Sequence, residues 1–188
     1  MNGVIYNMKT PLVINLAGPP GSGKSTGAAH IFCELKKRGI NCELVTEFAK
    51  DKTWEHNMKS LSCQEYVFGK QSYRLARCRD DVDVIVTDSP LLLGLIYNHN
   101  PALDEHFEQV VLNVFNTYEN LNFLVVRVKP YNPKGRNQTE AESDELGPKI
   151  KNLYDKLNVT YEEINGDDEG YNYVVKKVTD YMIDYVWE

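Results

Sequence analysis

A glycine-rich segment near the amino terminus carries the residue types needed to bind phosphate. Glycines let backbone N–H groups converge on phosphate oxygens, and a helix that follows directs the positive end of its dipole to the same place. Lysine adds a mobile charge, and the hydroxyl after it suits Mg²⁺. We predict that this segment, the phosphate loop, binds a nucleotide, with Lys24 also catalytic and Ser25 also a metal ligand. It matches G-x-x-x-x-G-K-[ST] and comprises Gly18, Pro19, Pro20, Gly21, Ser22, Gly23, Lys24, Ser25 and Thr26.

A second oxygen ligand for Mg²⁺ is expected at the end of a strand beside this loop. Asp88 ends the segment VDVIVTD at 82–88 and is followed by Ser89-Pro90. A carboxylate there can reach Mg²⁺ directly or through water. The Asp-Ser-Pro sequence also forms ordinary turns, which is the structural alternative. We predict that Asp88 is a metal ligand and a catalytic residue.

Two further charged residues favour phosphoryl transfer over simple nucleotide binding. Glu47 ends the predicted second strand, where a carboxylate can orient an attacking hydroxyl and take its proton. Arg136 lies in a polar segment just before a helix start, where Thr139 and Glu142 form a capping-box pattern. Such an arginine can neutralise the charge on a transferring phosphoryl group. The structural alternatives are that Glu47 is an ordinary acid at a strand end and that Arg136 lies in a solvated loop.

A predicted helix over residues 63–79 supplies candidate contacts to an acceptor. Three of its basic residues recur at helical spacing, forming a face that would hold an anionic acceptor or its flanking phosphates. A glutamine beside them could hydrogen-bond a base edge, and an aromatic residue after the second strand could stack on a base. The structural alternatives are that the basic face is a solvated surface stripe, that the glutamine is a surface amide, and that the aromatic side chain belongs to the core. The predicted substrate-binding residues are Phe48, Lys70, Gln71, Arg74 and Arg77.

The segments that position these residues alternate between strand and helix patterns. This alternation indicates a parallel sheet covered on both faces. We predict the α/β class, as a three-layer P-loop NTPase sandwich of about five parallel strands with helices on both faces and a helical lid. One domain would cover 1–188, with the lid at about 130–150. Short apolar runs predict the strands at 12–18, 42–48, 82–88, 120–128 and 159–164.

Helical patterns are predicted over 25–38 after the phosphate loop, and over 104–118 and 171–187 later in the chain. The lid helix contains Gly147-Pro148, which interrupts its pattern. Because proline breaks helices, a hinge is expected at that position.

The composition restricts the class of protein. The formal net charge of −6 excludes a generally basic nucleic-acid coat, so any polyanion must be bound by a local basic groove. The four cysteines show neither a CxxC pair nor a histidine cluster, which argues against zinc and disulfides. The amino-terminal segment lacks the apolar region of a signal peptide, and no stretch is apolar enough to span a membrane. We expect a cytoplasmic protein without a membrane partner.

Four segments together resemble small P-loop kinases encoded by bacteriophages, near the nicotinamide-riboside-kinase-like group. Within that group the chain looks like the 5-hydroxymethyluracil DNA kinases of phage thymidine hypermodification. The resemblance implies ATP and Mg²⁺ as the donor system, transfer of the γ-phosphoryl group to a hydroxyl, and an adenine-binding loop at 165–170. It also implies donor-site roles for Lys24 and Ser25, metal or acceptor activation by Asp88 and Glu47, and a lid position for Arg136. The segments are AGPPGSGKST at 17–26, ELVTEFAKD at 43–51, VTDSPLLLGLIY at 86–97 and YNPKGRNQTEAES at 131–143.

The leading hypothesis is an ATP-dependent kinase that phosphorylates the 5-hydroxymethyl group of hydroxymethyluracil in DNA, with the base extruded from the stack. The acidic net charge opposes a polymer acceptor, since DNA would require several cations in one channel. The alternatives are a kinase of a nucleoside, of nicotinamide riboside or of a deoxynucleoside monophosphate, and a nucleotide-dependent binding switch. The oligomeric state is left open.

Overall fold

A computed structural model describes residues 10–186 of the chain, and the predictions for the amino-terminal segment 1–9 and for residue 187 lie outside them. The described residues form a five-stranded parallel sheet in the order β2-β3-β1-β4-β5. The strands are β1 (Leu12–Ala17), β2 (Cys42–Val45), β3 (Val84–Thr87), β4 (Glu119–Val126) and β5 (Glu162–Asn165). The helices are α1 (Lys24–Lys37), α2 (Phe48–Trp54), α3 (Met58–Leu61), α4 (Gln64–Ala76), α5 (Leu93–Tyr97), α6 (Asp104–Phe115), α7 (Glu140–Lys156) and α8 (Asp168–Val186).

The sheet separates two apolar cores, and β1 contributes to both because successive side chains of a strand point to opposite faces. Leu12, Ile14 and Leu16 pack with α1 and α8 on one face. Val13 and Ala17 pack with α4, α6 and α7 on the other face. The predicted three-layer α/β sandwich with a five-stranded parallel sheet is therefore confirmed.

The position of β1 at the centre of the sheet decides where a ligand can bind. Its neighbours β3 and β4 are connected to it through helices, and all five strands are parallel. The carboxyl ends of β1, β2 and β3 consequently meet at one edge, the usual ligand-binding edge of an open α/β sheet. The phosphate loop follows β1, Glu47 follows β2 and Asp88 follows β3.

Most predicted boundaries differ from the structure by one to three residues; for example, the fifth strand begins at Glu162 instead of residue 159, and α6 ends at Phe115 instead of residue 118. The second strand ends at Val45 instead of residue 48, because Phe48 already begins α2. The last helix begins at Asp168 instead of residue 171.

The lid helix is continuous, so the predicted interruption at Gly147-Pro148 is wrong. Residues 140–156 form α7 with Pro148 inside it, and the predicted capping box of Thr139 and Glu142 is present. Proline removes one backbone hydrogen bond from a helix, but buried side chains beyond it, Ile150 and Tyr154, hold that part of α7 against the core. Tertiary packing thus overrides the local preference to break the helix.

None of the helices that the structure describes combines the length and apolar character needed to cross a membrane.

Candidate active site

The phosphate loop adopts a conformation that depends on its glycines. Gly18 has φ of +145°, and a Cβ there would lie 2.7 Å from the carbonyl oxygen of Val125. Gly23 has φ of +106° and directly precedes α1, which begins at Lys24. Side chains are strained at such positive φ angles, whereas glycine is not. The loop therefore presents backbone N–H groups at the start of a 14-residue helix, as an anion site requires.

Lys24 lies folded against its own loop. Its Nζ donates a hydrogen bond of 3.0 Å to the carbonyl oxygen of Pro19. Burial lowers the pKa of Lys24 from its ordinary value, an effect that the nearby Glu47 and Asp88 oppose. Its ammonium group thus lies close enough to both carboxylates to interact with them.

Two carboxylates occupy adjacent strand ends beside the phosphate loop. Asp88 is 3% exposed, and its Oδ1 accepts a hydrogen bond of 3.0 Å from the backbone N–H of Glu47. Burial raises the pKa of the Glu47 carboxyl; Lys24 opposes this shift and Asp88 adds to it. The environment therefore makes Glu47 a better proton acceptor than an ordinary surface glutamate.

The segment between β4 and α7 covers the phosphate loop, and we call residues 130–139 the lid loop. Its Arg136 donates a hydrogen bond to the carbonyl oxygen of Asn132, and its guanidinium group lies 5.5 Å from the ring centre of Tyr131. A Cβ on Gly21 would lie 3.0 Å from the Tyr131 ring and 3.6 Å from Nε of Arg136. Arg136 is thus placed next to the phosphate loop.

The lid loop also contacts α2 across the site. Asn137 Nδ2 donates a hydrogen bond of 3.2 Å to Thr53 Oγ1. A Cβ on Gly135 would lie 2.6 Å from the ring of Trp54. These contacts close one side of the site.

The phosphate loop, the two carboxylates and the lid arginine line one cavity of about 470 Å³. Ser25 and Asp88 both line it, and their hydroxyl and carboxylate oxygens are suitable Mg²⁺ ligands alongside phosphate oxygens and water. The part of the lining that α2, α3, α4 and α5 supply is mainly apolar, and we call this part of the cavity the acceptor end. The acceptor end is lined by Ala49, Lys50, Thr53, Trp54, Met58, Leu61, Gln64, Val67, Leu93, Gly94 and Tyr97.

The five predicted substrate-binding residues do not line this cavity. Phe48 is 7% exposed and packs against the edge of Tyr66, so its ring is not free to stack on a base. Gln71 is 4% exposed, accepts a hydrogen bond of 2.9 Å from the Phe48 N–H and donates one of 3.4 Å to the Thr46 carbonyl. Both side chains therefore pack at the β2–α2 connection, outside the cavity lining.

The predicted basic face of α4 is also arranged differently. Arg74 forms an ion pair with Asp51 and donates a hydrogen bond of 3.1 Å to the Thr46 carbonyl. Lys70 and Arg77 are exposed, with Lys70 Nζ 5.6 Å from the ring centre of Tyr66. The residues of α4 that line the cavity, Gln64 and Val67, belong to its first turn, before the basic residues. Helical spacing showed which residues share a face but not which turn of the helix meets the site.

Three site residues were missed by the sequence reasoning. Gln64 and Tyr97 lie at the acceptor end, and burial raises the pKa of Tyr97 to about 12, with Glu47 contributing in the same direction. Tyr171 supports the phosphate loop from behind, where its hydroxyl donates a hydrogen bond of 3.0 Å to the Gly23 carbonyl. Helical spacing could have indicated Gln64, because it lies two turns before the predicted substrate-binding residue Gln71 on the same face of the helix.

These features define a class of protein: a P-loop NTPase fold, with the phosphate loop after the central strand and an aspartate at the end of the neighbouring one. The family model described as AAA domain (AAA_28) matches residues 13–169, and the chain belongs to that family.

One of the similar solved structures shares this fold. The structure of deoxyadenosine kinase from M. mycoides with bound dATP covers 89% of this chain and 99% of its own, with a TM-score of 0.56 and 15% identity. The structure of APE1195 covers 94% of this chain and 97% of its own, with a TM-score of 0.45 and 17% identity.

Curated relatives match a shorter part of the chain. The RecA proteins of Anaplasma marginale (strain Florida) and Ehrlichia ruminantium (strain Gardel) are 32% and 33% identical to it over 85 residues. The match covers 41% of this chain and 24% of each relative.

Proposed function

We propose that this protein is an ATP-dependent kinase that transfers a phosphoryl group to the hydroxyl of an acceptor carrying a nucleobase. The observation that carries the proposal is that one cavity holds the phosphate loop, Glu47, Asp88 and Arg136 at one end and an apolar subsite at the other. A protein that only binds nucleotide has no need of the second subsite. The kinase-like fold is consistent with this activity.

The donor end would hold ATP and Mg²⁺. Backbone N–H groups of residues 18–26 would bind the phosphates, and Lys24 would exchange its bond to Pro19 for one to a phosphate oxygen. Mg²⁺, held by Ser25 and Asp88, would neutralise phosphate charge during transfer.

The acceptor hydroxyl would be positioned by Glu47. Its carboxylate takes the proton as the hydroxyl oxygen attacks, and burial favours this by raising its pKa. Arg136 lies beside Gly21 of the phosphate loop and would stabilise the negative charge that develops on the phosphoryl oxygens.

Two acceptors remain candidates. Hydroxymethyluracil within DNA is favoured by the sequence resemblance. A free nucleoside or nucleotide is favoured by the structure, since Lys70, Arg74 and Arg77 lie outside the cavity and the lid loop contacts α2 across it. A small acceptor needs no channel for flanking phosphates.

Incubation with γ-labelled ATP and Mg²⁺ tests the proposal. The acceptors to compare are hydroxymethyluracil-containing single-stranded DNA, free 5-hydroxymethyl-2′-deoxyuridine, nicotinamide riboside and the deoxynucleoside monophosphates. We expect label on a hydroxyl of an acceptor that carries a nucleobase, and its loss in Lys24→Ala. Label only in nicotinamide riboside, or only on the phosphate of a monophosphate, would contradict the proposed acceptor. Release of inorganic phosphate alone, with no label in any acceptor, would contradict a kinase and favour a nucleotide-dependent switch.

A further inference from the structure

We infer that Gln64 recognises the acceptor base, with its Oε1 accepting a hydrogen bond from an N–H on the edge of a planar nucleobase held in the acceptor end. This inference rests on the proposed kinase function and assigns the acceptor subsite of that same cavity.

The first step concerns burial. Gln64 is 8% exposed and lines the cavity at the first turn of α4. Buried glutamine side chains normally satisfy their hydrogen-bonding groups, because leaving one unpaired costs free energy. A glutamine retained at this depth therefore needs partners for both ends of its amide.

The second step concerns the orientation of the amide. Gln64 Nε2 donates a hydrogen bond of 2.7 Å to the carbonyl oxygen of Leu61. A carbonyl only accepts, so the nitrogen has to face Leu61 and the oxygen has to point away from it. No donor among the described residues and side chains bonds to Oε1. Oε1 is also not one of the described side-chain polar atoms that are both inaccessible to solvent and without a partner. Oε1 is therefore an acceptor available to a ligand in the cavity.

The third step concerns the shape and polarity of the surroundings. The side chains near Gln64 in the acceptor end are apolar or aromatic, including Leu61, Val67 and Leu93. Such walls favour a flat, weakly polar ring, and Trp54 at the rim adds a surface for stacking. Polar side chains elsewhere in the cavity lining, including Lys50 and Thr53, are suited to a sugar or a phosphate, which leaves the base for the apolar walls beside Gln64.

The chemistry of Oε1 then determines which atom of a base it contacts. A lone acceptor oxygen pairs with N3–H of a uracil-type base, with the exocyclic amine of cytosine or adenine, or with N1–H or the exocyclic amine of guanine. The donor atom differs between these bases, so blocking it chemically distinguishes them.

The experiment measures the effect of a change in the ligand in two forms of the protein. Binding of 5-hydroxymethyl-2′-deoxyuridine and of its N3-methyl derivative is measured by calorimetry with wild-type protein and with Gln64→Leu. The amino bases are tested in the same way, with deoxycytidine against its N4,N4-dimethyl derivative, deoxyadenosine against its N6,N6-dimethyl derivative, and deoxyguanosine against its N1-methyl and N2,N2-dimethyl derivatives. Since the methyl groups add bulk in every case, only the difference between the two proteins reports on the hydrogen bond.

For the base that binds, we expect methylation to weaken binding about tenfold more in wild type than in Gln64→Leu, while ATP affinity changes less than about twofold. Gln71→Leu is the matched control: it changes a buried glutamine on the same helix outside the cavity and should keep the full methylation penalty. An equal penalty in wild type and Gln64→Leu, or binding of none of the four nucleosides, would overturn the inference.

The same data separate this inference from the proposed kinase function. Nucleoside binding that depends on Gln64, without phosphoryl transfer, would contradict only the kinase. Phosphoryl transfer to an acceptor that wild type and Gln64→Leu bind equally well would contradict only the role of Gln64.

Discussion

The hydroxyl of Tyr171, on α8, donates a hydrogen bond of 3.0 Å to the carbonyl oxygen of Gly23 at the end of the phosphate loop. The Tyr171 ring fills the space where a Cβ on Gly27 would lie, 2.5 Å from its Cε1. A fully buried side chain from the far end of the sequence thus supports the loop from behind. This contact links the conformation of the phosphate loop to the packing of α8.

Replacement of Tyr171 by phenylalanine should weaken ATP binding. The phenylalanine ring would still fill its site, but the Gly23 carbonyl would lose its hydrogen-bond partner, at a cost of about 1 kcal/mol. If the phosphate loop shifts as a result, this cost corresponds to roughly a fivefold rise in the Kd for ATP. Tyr154→Phe is the matched control, since Tyr154 is fully buried and its hydroxyl has no hydrogen-bond partner among the described residues. Calorimetric titration with ATP makes the comparison; equal Kd values for the two variants would refute a positioning role for Tyr171.

Removal of the Arg136 guanidinium should lower turnover far more than nucleotide affinity. Arg136 lies beside the phosphate loop, where its charge would act mainly on the phosphoryl group in transit. We expect Arg136→Ala to reduce kcat about 10²–10³-fold, with a change in ATP Kd of less than about threefold. Lys149→Ala, which removes an exposed cation of α7, should leave both constants unchanged. Normal turnover in Arg136→Ala would exclude the arginine from the mechanism.

The pH dependence of turnover should report on Glu47. Because burial raises its pKa above the ordinary value of 4.5, the carboxylate becomes protonated at a higher pH than a surface glutamate. Only the ionised form can take the acceptor proton, so kcat should fall as pH decreases through this raised pKa.

Glu47→Gln should abolish the acid limb of that pH profile along with most of the activity. Glu163→Gln changes an exposed carboxylate of β5 and should keep the wild-type profile. Stopped assays of phosphoryl transfer between about pH 5 and 8 make the measurement. An unaltered acid limb in Glu47→Gln would assign the ionisation to another group.

Contact between the lid loop and α2 should be required for full activity. In Gly135→Ala the new Cβ would collide with the ring of the exposed Trp54, so either this ring or the lid loop that carries Arg136 has to shift. A displacement of about 1 Å can cost up to about 10²-fold in rate, and we expect kcat/KM to fall at least about tenfold.

Gly39→Ala provides an unusually close control for this change. Gly39 and Gly135 have φ of +79° and +71°, but a Cβ on Gly39 would contact nothing within 4 Å. Both variants should lose about 1 kcal/mol of stability from backbone strain, whereas only Gly135→Ala should lose activity. Thermal unfolding and kcat/KM measured on both proteins separate the two effects, and equal kcat/KM values would show that the contact is dispensable.

Local sequence was sufficient for features that depend on neighbouring residues. The phosphate loop, the five strands and the capping box of Thr139 and Glu142 follow from short-range rules of backbone geometry and hydrophobic periodicity. The same rules failed at Pro148, because burial of Ile150 and Tyr154 on the sheet outweighs the loss of one helical hydrogen bond. The same rules did not identify which residues of α4 line the cavity, because the surroundings of each part of that helix depend on elements distant in sequence.

The sequence by itself determined the fold class and the donor end, since glycine spacing, a lysine, a hydroxyl and strand-end acids act through local geometry. Only the tertiary structure decided the acceptor end. It placed Gln64 in the cavity and Gln71 in the β2–α2 connection, although both residues lie on one helix face. The physical reason is that the packing of α4 against α2 and the sheet determines which turn of that face meets the cavity, and such long-range contacts leave no trace in helical periodicity.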